Sequence, residues 1–242
     1  MKNFVIFVSR DNVFEGSTML LKKEVKLNTE IICIESFVEN RIKRNFSNED
    51  IILFKCCNSK WISRVIYMIE TTKCIIINKE YFANNYSKIQ VQERLSYNLV
   101  KIPFIHSITN VENLKYPLYC KENKHQGVTI KVFNKITLTR FFEKFDIRDF
   151  YFEESVDDIK ETSEIKIYYV KGQIFREDKG IVDEELKGIC QKISSSLNEL
   201  EIFSSDIIKT KEEYYVIDVN ACAGFYLSKD ARKEFIKILE NS

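Results

Sequence analysis

The apolar positions near the start of the chain form short unbroken runs instead of an alternating pattern. Four of these runs are rich in β-branched and aromatic residues, namely Phe4–Val8, Ile31–Ile34, Ile51–Phe54 and Cys74–Ile77. Strands that are covered on both faces, as in a parallel sheet, have sequences of this kind. Between the third and fourth runs, Lys60–Glu70 carries its apolar residues on one helical stripe. The sequence therefore predicts an α/β unit with three or four parallel strands.

The pattern changes after a polar break at residues 84–87. Beyond this break strands cluster and helices stand apart from them, which indicates an α+β architecture. The predicted strands are Leu118–Lys121, Thr129–Phe133, Phe150–Glu153, Ile165–Val170, Gln173–Phe175, Ile202–Thr210 and Tyr214–Asn220. The predicted helices are Lys88–Asn98, Thr139–Phe145, Glu184–Leu200 and Ala231–Leu239. We expect a small α/β domain over residues 1–84 and an α+β domain over residues 85–242.

The composition excludes several classes of protein. With 242 residues, of which 45% are hydrophobic and 30% charged, the chain has the make-up of a folded globular protein. The 37 basic and 36 acidic residues nearly cancel, so no nucleic-acid partner is expected. The sequence shows neither a signal-peptide pattern nor an apolar run long enough to cross a membrane. We therefore expect a cytoplasmic protein without a membrane partner.

Cysteine and histidine are poor candidates for a metal site in this chain. The seven cysteines include no Cys-x-x-Cys pair and most lie in apolar runs, so we expect reduced thiols that pack as small hydrophobic side chains. Because His106 and His125 are the only histidines, a metal site built on histidine is not expected.

Oxygen-bearing side chains converge on the last predicted hairpin. With three residues in its turn, Asp206 lies opposite Asp218, and with two residues the register shifts by one. Asp218 and Asn220 are two residues apart, so their side chains share a strand face. A set of oxygen ligands suits Mg²⁺, which usually binds substrate phosphates as well. The alternative interpretation is a hairpin with two solvated aspartates.

Other polar groups lie at or near the ends of predicted strands. Lys121 ends an apolar strand, and a polar loop and Gly127 follow it. A lysine in this position can contact a phosphate, although most such lysines are solvated. A second apolar strand ends in the acidic pair Glu153-Glu154, and Lys166 and Arg176 belong to the next two strands.

In this order, the elements resemble the ATP-grasp superfamily, and most closely its RimK-like carboxylate–amine ligases. This group is similar to ribosomal-protein glutamate ligase, glutathione synthetase and D-alanine–D-alanine ligase. The resemblance covers approximately residues 78–240, and Asp218-Val219-Asn220 is its most specific motif. It implies an α/β N-terminal unit followed by an α+β ATP-grasp fold, in which two lobes hold ATP in the cleft between them.

The resemblance also implies roles for individual residues. It assigns ATP binding to Lys88, Lys121, Gly127, Glu153, Glu154, Ser155 and Val156. It assigns Mg²⁺ binding to Asp206, Asp218 and Asn220, and stabilisation of the transferred phosphoryl group to Lys166 and Arg176. Lys166 stands where the family usually has arginine, and the segment Ala221–Phe225 matches a family turn without its proline.

The activity implied by the resemblance is the joining of a carboxylate to an amine. ATP would phosphorylate the carboxylate, and the amine would attack the acyl phosphate to give an amide, ADP and phosphate. The expected partners are small-molecule, amino-acid or peptide acids and amines, and a homodimer is the commonest assembly. Two other functions stay open: a non-catalytic nucleotide-binding module of this fold, and an ATP-dependent small-molecule kinase.

Overall fold

A computed structural model describes residues 2–10, 16–56, 59–106, 114–124, 127–159, 161–222 and 228–241. The chain forms two compact units. The first unit contains residues 1–85, 166–205 and 219–242, and the second unit contains residues 86–165 and 206–218. The division of the chain into domains at residues 84 and 85 remains a prediction.

The described residues form the following helices and strands. The helices are α1 Gly16–Glu24, α2 Ile34–Val38, α3 Ser59–Ile69, α4 Lys79–Asn84, α5 Lys88–Tyr97, α6 Lys135–Phe142, α7 Glu184–Ser196 and α8 Lys229–Asn241. The strands are β1 Asn3–Val8, β2 Asn28–Cys33, β3 Asp50–Lys55, β4 Ile75–Ile76, β5 Ile105–His106, β6 Leu118–Glu122, β7 Thr129–Val132, β8 Phe150–Glu154, β9 Ser163–Val170, β10 Gln173–Arg176, β11 Ile202–Lys209 and β12 Tyr214–Asn220.

The first unit contains a four-stranded parallel sheet in the order β2-β1-β3-β4. The central strands β1 and β3 are buried on both faces, which explains their unbroken apolar sequences. Phe4, Leu53 and Phe235 belong to the core of this unit. The predicted parallel α/β sheet is therefore confirmed.

Two short helices of the first unit differ from the sequence-based expectation. Ile34 was predicted to end the second strand, but it begins α2, and Cys33 before it keeps an extended backbone. The helix Lys79–Asn84 was not predicted. Both helices are at most six residues long, so neither shows the full apolar period by which a helix is recognised in a sequence.

The second unit contains an antiparallel sheet in the order β5-β8-β6-β7. Its core is formed by Leu118, Cys120 and Phe152 together with residues of α6. Gly127 closes the loop before β7, where an added Cβ would lie 2.7 Å from Cβ of Glu122 and 2.9 Å from the carbonyl oxygen of Lys124. A side chain at position 127 would therefore displace this loop.

A third sheet has the order β10-β9-β11-β12. Three of the four bounds between the two units fall within β9, β11 and β12, and the fourth lies between α4 and α5. In the part of the chain that the structure describes, no helix combines the length and the hydrophobicity needed to cross a membrane.

Candidate functional site

A cavity of about 300 Å³ lies within the second unit. Its wall includes six of the residues singled out in the sequence: Lys88, Lys121, Glu153, Glu154, Val156 and Asp218. These residues come from α5, β6, β8, the segment after β8, and β12. The structure thus brings together side chains that lie far apart in the sequence, from Lys88 to Asp218.

Lys88 is held at the first position of α5. Ser87 caps this helix through a reciprocal capping box with Gln90, so the start of the helix is well defined. The Nζ of Lys88 lies 3.4 Å from Oδ1 of Asp218, which is a partly exposed residue on β12. The cavity therefore contains a lysine ammonium paired with the carboxylate predicted to bind a metal.

Lys121 and Glu153 form a buried ion pair on neighbouring strands of the antiparallel sheet. Glu153 is 1% exposed, and its buried Oε1 has no hydrogen-bond partner among the residues that the structure describes. Burial raises the pKa of the Glu153 carboxyl; the Lys121 ammonium opposes this rise, and the charge of Asp218 adds to it. This pair places one positive and one negative group at the wall of the cavity.

A backbone carbonyl joins β12 to this wall. The carbonyl oxygen of Ile217 accepts hydrogen bonds from Nζ of Lys121, at 3.1 Å, and from Nε2 of Gln92, at 3.3 Å. The N–H of Val216 donates to the carbonyl oxygen of Lys101 at 2.9 Å. These bonds fix the strand that carries Asp218 against the rest of the second unit.

A network around Asp157 lines the same cavity and was not predicted from the sequence. The carboxylate accepts hydrogen bonds from Tyr119 and Lys131, both at 2.8 Å, and from Ser155 at 2.5 Å. These three bonds outweigh the effect of burial and lower the pKa of Asp157 to about 2. Burial and the bond to Asp157 raise the pKa of Tyr119 to about 12. Asp157 directly follows Val156, and this is the one signal that the sequence offered.

Within the second unit, three of the predicted residues are not among the described residues that line the cavity. These residues are Gly127, Ser155 and Asp206. Ser155 donates to Asp157 instead, and Gly127 shapes the loop between β6 and β7. Within the segment Ala221–Phe225, residues 223–225 lie outside the described part of the chain.

The hairpin of β11 and β12 closes with two residues in its turn. The N–H of Thr210 donates to the carbonyl oxygen of Glu213 at 2.9 Å, and the N–H of Glu213 donates to Oγ1 of Thr210. The turn therefore has the register expected from the sequence for a two-residue turn, which is shifted by one residue from the register of a three-residue turn. If the two strands paired without a bulge from this turn onward, Asp206 would lie opposite Ile217.

Lys166 and Arg176 belong to the first unit, on β9 and β10. The guanidinium of Arg176 is largely buried and bonds to both carboxylate oxygens of Asp178, at 2.8 and 2.5 Å, and to the carbonyl oxygen of Ile181. Gly180 makes room for this group, since a Cβ there would lie 2.5 Å from Cζ of Arg176. The roles of Lys166 and Arg176 in phosphoryl transfer remain predictions.

Among the residues that the structure describes, no three histidine, cysteine, aspartate or glutamate side chains cluster as a metal site. The predicted Mg²⁺ site has only two carboxylates, those of Asp206 and Asp218, so its third ligand has to be the amide oxygen of Asn220. Asn220 Oδ1 accepts a hydrogen bond from the N–H of Cys222 at 2.9 Å, which orients the amide.

Solved structures resemble the chain over nearly its whole length. The ATP-grasp ligase PsnB, solved with a minimal precursor, has a TM-score of 0.72 and is 13% identical, with 99% of this chain and 98% of that chain covered. D-alanine–D-alanine ligase from Bacillus anthracis, solved with ATP, has a TM-score of 0.70 and is 14% identical, with coverages of 100% and 95%. The chain has the ATP-grasp fold.

An ATP-grasp RimK domain protein from Sphaerobacter thermophilus gives the same result, with a TM-score of 0.70, 10% identity and coverages of 98% and 99%. No protein-family model matches the sequence, and no curated protein matches it. The expected fold, an α/β N-terminal unit followed by an α+β ATP-grasp fold, is confirmed by these ATP-grasp structures.

Proposed function

We propose that this protein is an ATP- and Mg²⁺-dependent carboxylate–amine ligase that acts through an acyl phosphate. The proposal is carried by one observation: the cavity of the second unit gathers Lys88, Lys121 and Asp218 in a chain with the ATP-grasp fold. Two ammonium groups beside a carboxylate provide the charges needed to bind a nucleotide phosphate together with a divalent cation. Glu154 and Val156, on the same wall, would contact the nucleoside.

The side chains on β12 suit Mg²⁺. Asp218 already attracts a cation, since the Lys88 ammonium lies 3.4 Å from it. Asn220 follows two residues later on the same strand face, and its oxygen is oriented by the Cys222 N–H. Mg²⁺ prefers such oxygen ligands and commonly takes one or two carboxylates, keeping its other positions for waters and phosphates. We therefore propose Asp206, Asp218 and Asn220 as its ligands.

Asp206 joins this set if β12 contains a bulge at Val216 and Ile217, and we infer one from two observations. In a regular strand, adjacent residues direct their N–H and C=O groups to opposite sides, yet the Val216 N–H and the Ile217 carbonyl both bond to groups outside β11. The alternation of buried and less buried side chains also shifts by one at Ile217. One extra residue in β12 brings Asp206 opposite Asp218.

The proposed reaction transfers the γ-phosphoryl group from ATP to a carboxylate oxygen and releases ADP. An amine nitrogen then attacks the acyl carbon, forming the C–N bond, breaking the C–O bond to phosphate and losing a proton. Lys121, Lys166 and Arg176 would hold the phosphoryl oxygens by charge. Bound Mg²⁺ neutralises charge on the transferred group. We propose amino acids, peptides or other small acids and amines as the substrates.

A screen for ATP-dependent phosphate release tests this function. Purified protein is incubated with Mg·ATP, panels of amino acids and peptides, and hydroxylamine as a general amine. We expect at least one acid to support both phosphate release and hydroxamate formation, because hydroxylamine intercepts an acyl phosphate. A phosphorylated product without released phosphate would indicate a kinase, and the absence of ATP turnover with every acid would contradict the ligase proposal.

Lys88 should make metal binding depend on the nucleotide, because its ammonium and the metal compete for Asp218. Without nucleotide, Lys88→Met should bind Mn²⁺ up to about fivefold more tightly than the wild type, the factor expected from losing a partly exposed pair worth at most about 1 kcal/mol. The same variant should bind Mg·ATP more weakly, since a phosphate contact is lost. Titration followed by electron paramagnetic resonance measures free Mn²⁺ directly.

Lys211→Met is the matched control for this prediction. Lys211 lies in the turn of the same hairpin and pairs with the exposed Glu161 at 2.7 Å. Its replacement removes one positive charge from the second unit without touching the cavity wall. Equal changes of Mn²⁺ affinity in the two variants would mean that net charge, and not the Lys88–Asp218 pair, controls metal binding.

A further inference from the structure

Asn78 lies in the first unit between β4 and α4, directly before the first residue of α4, and is buried, with 5% of its surface exposed. Its backbone has a left-handed conformation, with φ of 58° and ψ of 30°. Asparagine is among the few residues other than glycine that adopt this conformation readily. Its burial and backbone therefore restrict which residues this position accepts.

The Asn78 amide holds the open end of the β11–β12 hairpin. Its Nδ2 donates to the carbonyl oxygen of Ile202 at 2.6 Å and to the carbonyl oxygen of Ala221 at 3.1 Å. Its Oδ1 accepts from the N–H of Ile202 at 3.1 Å. Ile202 begins β11, and Ala221 directly follows the last residue of β12. One side chain thus uses both amide hydrogens to join the two strand ends.

The bond to Ala221 bears on the side chain of Asn220. The Cys222 N–H donates to Oδ1 of Asn220, so Ala221 lies inside a tight turn whose two ends are joined by the Asn220 amide. Ala221 is itself buried, at 3% exposure. A fixed Ala221 carbonyl limits the rotation of this turn and, with it, the direction of the Asn220 oxygen.

We propose that Asn78 is a positioning residue for the metal site, which it serves by holding Asn220 in the orientation that binds Mg²⁺. The inference rests on the proposed function, since it takes Asn220 as a ligand. Without the Asn78 amide, the turn after β12 would have more freedom, and the free energy of metal binding would include the cost of ordering it. Asn78 itself would not contact the metal or the nucleotide.

Asn78→Gly tests the proposal because glycine keeps the left-handed backbone and removes only the side chain. The matched control is Asn85→Gly, at an exposed residue with φ of 54° in the same unit. Mn²⁺ affinity is measured by electron paramagnetic resonance with saturating AMPPNP, well below the thermal midpoint of each protein. We expect about three- to tenfold weaker Mn²⁺ binding by Asn78→Gly, the factor that corresponds to the net loss of a hydrogen bond, and no change for Asn85→Gly.

Two further measurements separate positioning from a general loss of stability. AMPPNP affinity without metal should be the same in Asn78→Gly and the wild type, since Asn78 acts only through Asn220. If Asn78→Gly does not fold in buffer alone, it and the wild type are measured in trimethylamine N-oxide, which favours the folded state, and Asn78→Gly should show the same weakened Mn²⁺ binding. Unchanged Mn²⁺ affinity in the folded variant overturns the role of Asn78 alone. A wild-type protein that binds AMPPNP but no Mn²⁺ overturns the proposed metal site and the inference with it.

Discussion

Asp218→Asn should lower ATP-dependent phosphate release by at least about 100-fold, the size of effect seen when one electrostatic contact to the reacting group is removed. The amide keeps the shape of the side chain but loses the charge that would bind Mg²⁺. The stability of the metal-free protein should stay equal or rise slightly. The reason is that the charge of Asp218 contributes to the raised pKa of the buried Glu153, whereas the partly exposed pair with Lys88 adds little.

Steady-state turnover at several Mg²⁺ concentrations, together with thermal unfolding without metal, checks this prediction. Asp146→Asn is the control, because Asp146 pairs with Arg148 at the surface of the same unit and does not line the cavity. We expect it to keep full turnover. Normal Mg²⁺-dependent turnover by Asp218→Asn would remove Asp218 from the metal site.

Lys121→Met should lower the free energy of unfolding by about 3–5 kcal/mol at neutral pH, because a buried carboxylate loses its only ion-pair partner among the described residues. Without Lys121, the protonated form of the buried Glu153 side chain has a lower free energy than the charged form. Since burial has already raised its pKa, the folded state of the variant binds a proton that the unfolded state has released. The stability of the variant should therefore fall as the pH rises from the unfolded pKa of glutamate toward the raised pKa in the folded state.

The double variant Lys121→Met/Glu153→Gln identifies the cause of this loss. A neutral amide at position 153 removes the unpaired charge, so most of the stability should return and its pH dependence should flatten. ATP binding should stay weak in both variants, because Lys121 is absent in each. Urea unfolding between pH 4 and 9 measures these effects, with Lys101→Met as a control at a more exposed pair with Glu213. A single variant as stable as the wild type over this range would show that Glu153 has another partner.

The sequence predicted most strands and the residues at their ends. Unbroken β-branched runs such as Ile51–Phe54 indicated a sheet covered on both faces, and the structure has that sheet. Five predicted nucleotide-binding residues and Asp218 line one cavity. The prediction that Asp218 and Asn220 share a strand face follows from their i,i+2 spacing and the geometry of a strand. These features depend on local pattern, which a sequence displays directly.

Features that depend on contacts between distant segments could not be predicted in this way. The sequence predicts a nucleotide contact for Glu153, but nothing in its own segment shows that it pairs with Lys121 from another strand. Asp157 directly follows the predicted nucleotide-binding residues Glu153–Val156, and nothing in its own segment shows that Tyr119 and Lys131 bond to it. The amide of Asn78 reaches residues more than 120 positions away, and no periodicity records such a contact.

The fate of a labelled oxygen tests the acyl phosphate most directly. An acid that supports turnover in the screen is prepared with oxygen-18 in its carboxylate, and the phosphate released with Mg·ATP and an amine is examined by mass spectrometry. The ligase account predicts that each phosphate carries an oxygen from the carboxylate, because the C–O bond breaks when the amine attacks. Unlabelled phosphate released together with the amide product would contradict it.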